Sequence, residues 1–168
     1  MPNRFWSLIV LAAVGFGWVF GCPHGNFWVK ITATVCVLCA GALLAAGVPC
    51  RRDEWCLREV MIGVGAAVLL YGIFWAGDAL AAAVFGFAPR QVEAIYAIRE
   101  LGHPWMVGAV LLLVTSPGEE VFWRGYVQRQ AVLRWGSRPG FAIAALLYGA
   151  VQLASGNVML VMAALVAG

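Results

Sequence analysis

The segment Ser116-Pro117-Gly118-Glu119-Glu120-Val121-Phe122-Trp123-Arg124-Gly125 sets two adjacent carboxylates and a guanidinium into apolar surroundings. Carboxylates can activate water, relay protons or hold a cation. Successive residues of a helix point about 100° apart, so Glu119 and Glu120 cannot serve one atom. Glu120 and Arg124 stand at i, i+4 with the acid on the N-terminal side, the favoured order for a helical ion pair. That leaves Glu119 to face a cavity. A local alternative exists, because Ser116 and Glu119 have capping-box spacing and Pro117 fits a first helical position. Depth argues for chemistry. If a helix enters the membrane at Trp105, Glu119 lies about 21 Å along it, inside a hydrocarbon layer about 30 Å thick. One acid at a helix centre costs about 3 kcal/mol, and ionisable groups at such depth face a bundle interior or a wet cavity and carry function.

The elements that must position these residues follow from composition. Of 168 residues, 63% are hydrophobic and 11% charged, and mean hydropathy is +0.88. Soluble domains average about 25% charged residues, so a water-soluble globule is excluded. A net charge of +3 gives no basic surface for nucleic acid. The expected fold is all-α: a polytopic transmembrane bundle of about six helices. Phe5–Phe20 and Phe27–Val48 are the first two, with Lys30 snorkelling to the interface. Val60–Gly77 is the third, ended by Asp78. Pro89–His103 is polar enough to lie along the membrane surface. Trp105–Gly118 is the fourth, followed by the two glutamates and a basic loop carrying Arg124, Arg129, Arg134 and Arg138. Ser155-Gly156-Asn157 divides the last stretch into a fifth and a sixth helix, and the sixth, from Val158, stops at Gly168 short of a full span. Residues 1–104 are read as N-terminal helices and a surface segment, 105–168 as the functional core. The eight tryptophans mostly fall near helix ends, as in an interfacial belt. The five cysteines are an odd set without a disulfide pattern. Cys36-x-x-Cys39 reads as packing on a helix. Arg4, the charged loop 49–59 with Arg51, Arg52 and Arg58, and the basic segment 124–138 fall on one side. Arg90 and Arg99 fall on the other, so the N-terminus is expected in the cytoplasm.

The string Glu119-Glu120-x-x-x-Arg124-Gly125, after an apolar helix and before another, resembles the CPBP family of CAAX type II prenyl proteases, bacteriocin-processing and abortive-infection membrane proteins. The resemblance covers about Trp105 to the end of the chain. It implies a cavity enclosed by transmembrane helices, in which a glutamate and a histidine activate water to cut a peptide bond. Glu119 would be the base, and Glu120 with Arg124 would order the site. The family's next motif, Phe-x-x-x-His, corresponds here to Tyr148-Gly149-Ala150-Val151-Gln152. Glutamine can orient a water but cannot take up a proton. Gln152 therefore occupies a catalytic position with altered chemistry, and Tyr148 and Asn157 are assigned to the substrate. The third motif, His-x-x-x-Asn or Asp, has no counterpart before Gly168, which implies a fragment or an incomplete site. His24 and His103 lie in loops away from these positions. Zinc needs three protein ligands, and the glutamate pair with Gln152 does not supply them, so no metal and no cofactor is expected. The expected partners are a peptide or protein substrate, prenylated or not, and the lipid bilayer of a bacterial inner membrane. The alternatives are a catalytically silent peptide-binding, immunity or scaffold protein and, less favoured, a transporter subunit using the two acids.

Overall fold

Long apolar runs with few breakers leave the backbone one economical solution in lipid, the helix, which satisfies its own hydrogen bonds. The computed structural model describes residues 2–47 and 57–168, and regular structure among them is entirely helical. Helix α1 spans Pro2–Gly21 and α2 spans Phe27–Ala46. Asn26 starts α2, its side chain accepting from the Trp28 and Val29 amides at 2.8 and 3.3 Å, and Gly47 ends it at φ +75°. Lys30 does not snorkel. It is 6% exposed, and its Nζ donates to the Cys22 carbonyl at 2.6 Å. This places a cation on the carbonyl end of α1, where the helix dipole favours one.

Helix α3 runs Leu57–Val84. Arg58, read as the end of a charged loop, is already helical, while residues 49–56 of that loop, with Cys50, Arg51, Arg52 and Cys56, lie outside the described residues. Asp78 does not end α3. The following Ala79-Leu80-Ala81-Ala82-Ala83 is rich in the strongest helix formers, and one aspartate does not interrupt them. None of Met61–Val84 is buried within the protein, which suits a helix surrounded by lipid. The polar segment forms the short helix α4, Ala88–Arg99, with Pro89 in its first turn.

The largest departure from expectation is α5, a continuous helix over Pro104–Trp135. Ser116-Pro117-Gly118 lies inside it, both Thr115 and Ser116 have helical angles, and no side chain caps there. The capping-box reading therefore fails. Proline within a helix lacks a donor and crowds the preceding turn. The backbone absorbs this by widening to π-helical spacing over Leu111–Thr115, where the Ser116 amide reaches back to the Leu111 carbonyl. A second π-helical stretch covers Glu120–Gln128. The expected basic loop is thus mostly helix, which brings Arg124, Arg129 and Arg134 onto α5. Only Gly136, at φ +85°, separates α5 from α6, Ser137–Gln152. The expected turn forms as a 3-10 segment Leu153–Ser155 and Gly156 in the left-handed region, and α7 runs Val158–Ala167.

Phe5, Phe16, Val35, Phe122 and Val127 are buried in a single core that joins α1, α2, α5 and α6. Within a bilayer such a core is held by close packing more than by exclusion of water. The Arg134 guanidinium lies 4.4 Å from the Phe5 ring centroid and Trp6 lies 6.4 Å from Trp135, so the start of α1 and the finish of α5 share one end of the bundle. Among the described residues four helices are long and apolar enough to cross a membrane and regular structure is all helical, as in an integral membrane protein.

Candidate active site between the fifth and sixth helices

Glu119 and Glu120 are the central residues of α5, whose 32 residues extend about 48 Å at 1.5 Å per residue. No end of the helix is near enough to bring them to water along its axis. The helix is much longer than the Trp105–Gly118 span expected, and both acids stand far from its ends.

The two acids have different partners. The Tyr148 hydroxyl donates to Glu119 Oε2 at 2.8 Å, across the antiparallel α5–α6 hairpin. The Arg124 guanidinium donates to Glu120 Oε1 at 2.6 Å and also to the Ala167 carbonyl at the end of α7. Glu119 is half-buried, whereas the Glu120 side chain is 58% exposed and that of Arg124 35%. The hairpin is tight because Gly140 lies against the Val132 backbone, where a Cβ would collide. Gly149 is equally close to the Leu165 side chain, so α7 packs hard on α6. The Tyr148 ring lies 4.9 Å from that of Trp123, which fixes the phenol over α5.

Gln152 is one turn beyond Tyr148 and 6% exposed. Its Oε1 is buried without a hydrogen-bond partner in the protein, as is Oγ1 of Thr115. Asn157 is placed differently: it caps α7, Oδ1 accepting from the Leu160 amide at 3.0 Å. Its Nδ2 donates to the Gln91 carbonyl at 2.7 Å, tying α7 to α4. Glu119 and Tyr148 are thus in direct contact, Glu120 and Arg124 form a separate pair, and Asn157 holds the outer turn. Thr115 was not singled out from the sequence. Its one signal there is its i, i+4 spacing to Glu119, which is too common to stand alone.

Among the described residues no three His, Cys, Asp or Glu side chains gather as metal ligands. His24 and His103 are both exposed.

Residues 101–168 match the family model described as type II CAAX prenyl endopeptidase Rce1-like. This segment is Rce1-like. The match starts close to the boundary read from the glutamate motif and contains all of α5, α6 and α7, so the family read from Glu119, Glu120 and Arg124 is borne out. No curated protein and no solved structure matches the chain. The likeness to CAAX-type endopeptidases rests on residues 101–168.

Proposed function

We propose that the protein is an intramembrane endopeptidase in which Glu119 is the general base. The observation that carries this reading is a half-buried carboxylate at the middle of a membrane-spanning helix, held by the Tyr148 hydroxyl, inside an Rce1-like segment. Tyr148 occupies Oε2, and the other carboxylate oxygen takes a proton from water as the water oxygen attacks a peptide carbonyl carbon. The carbon–nitrogen bond then breaks, and Glu119 returns the proton to the leaving nitrogen. Glu120 and Arg124 order α5 beside Glu119, and Asn157 keeps the α6–α7 turn in register beside the substrate.

Gln152 favours a second reading. Where the family pattern has an imidazole, this chain has an amide that cannot share the proton transfers. The protein is then slow, or it binds a peptide without cutting it. Reconstitution in proteoliposomes with a bilayer-presented peptide separates these readings. Cleavage that Glu119→Gln abolishes supports the enzyme, and peptide binding that survives Glu119→Gln without any cleavage supports the silent binder.

A further inference from the structure

Thr115 and Gln152 are 8% and 6% exposed, and each has a buried oxygen without a partner in the protein. Such orphaned groups are costly and call for an explanation. Their placement supplies one. The Glu119–Tyr148 hydrogen bond fixes the register of two antiparallel helices. Thr115 precedes Glu119 by one turn and Gln152 follows Tyr148 by one turn. Decreasing number on α5 and increasing number on α6 run the same way along the seam, so both orphans fall at the level just beyond the glutamate. A threonine in a helix commonly turns its hydroxyl to the carbonyl four residues back. Here that carbonyl is Leu111, which accepts the Ser116 amide in the π-helical stretch, and Thr115 Oγ1 makes no such bond.

We infer that Thr115 and Gln152 together hold the water that Glu119 activates, which rests on the reading of Glu119 as base. The hydrogen-bond inventory closes. The water accepts from the Thr115 hydroxyl, donates one hydrogen to Gln152 Oε1 and the other to Glu119, and keeps one lone pair for the carbonyl carbon. Three protein partners are the usual number for a buried water. In the reaction the water O–H bond toward Glu119 breaks as the new C–O bond forms, and Thr115 and Gln152 keep their hydrogens.

Three measurements in proteoliposomes test this. A structure of the protein in lipid that resolves ordered solvent should show one water within hydrogen-bond distance of Thr115 Oγ1 and Gln152 Oε1. Direct protein partners for both atoms, with no water, would overturn the inference whether or not the protein cleaves peptide. Thr115→Val should lower kcat by about 10- to 100-fold with KM unchanged, while Thr115→Ser retains most of the rate. Because the valine removes an unsatisfied polar group, its melting temperature should equal or exceed that of the parent. Unchanged kcat in Thr115→Val, or equal losses of rate and melting temperature in both variants, would show a packing role and sink the proposal. Glu119→Gln is the control: if it cleaves like the parent, the base assignment fails independently of Thr115.

Discussion

Arg124 does more than pair with its neighbour. Its guanidinium joins Glu120 to the final carbonyl of α7, so it links α5 to the last helix. Glu120→Gln removes the charge that Arg124 faces and should therefore lower the melting temperature in detergent. Arg124→Ala, which also strips the α7 contact, should cost more, about 2 kcal/mol. Glu119→Gln keeps an oxygen that can accept the Tyr148 hydroxyl, so its melting temperature should match the parent. Equal losses for Glu119→Gln and Glu120→Gln in differential scanning fluorimetry would contradict the division of roles. The Glu120–Arg124 pair was legible because helical spacing alone determines it. The Glu119–Tyr148 bond was not, since it depends on the register of a hairpin that no local pattern encodes.

Helices α1 and α2 could be read directly from long apolar runs. The reading failed where short-range breakers were overridden. Ser116-Pro117-Gly118 has the residue types of a helix start, yet the π-helical stretch before it absorbs the proline and tertiary packing carries the helix through. Gly118 shows how: it lies against the buried Val35 of α2, and a Cβ there would collide with that side chain. Glycine costs helix propensity, but here it allows α2 to support α5 at the residue next to Glu119. Gly118→Ala should destabilise the protein by about 1–3 kcal/mol through overpacking, and Val35→Ala in the same chain should restore part of the loss. Additive losses in the double variant, measured by thermal melts, would show that the two positions do not share a contact. Asp78 shows the complementary point, that one charge before an alanine-rich run does not end a helix.

At the scale of the molecule, the structure sets Phe5 and Trp6 beside Arg134 and Trp135. This collects the aromatic and basic residues of α1 and α5 at one end. By the positive-inside rule, we propose that this end, which also carries Arg58, Arg129 and Arg138, faces the cytoplasm. Single-cysteine reporters at His24 and His103 should react with an impermeant reagent in intact cells, and Cys50 and Cys56 should not. The reverse pattern would invert the topology. The central claim is that a single deep carboxylate performs the proton transfers and that Gln152 limits them. Its most direct test is the rate at which Gln152→His in proteoliposomes cuts a bilayer-presented peptide, with and without Glu119→Gln. A recovered imidazole should raise cleavage by about 10²- to 10⁴-fold, and Glu119→Gln should abolish the gain. A rate that Gln152→His leaves unchanged or lowers, or a gain that survives Glu119→Gln, would contradict the account.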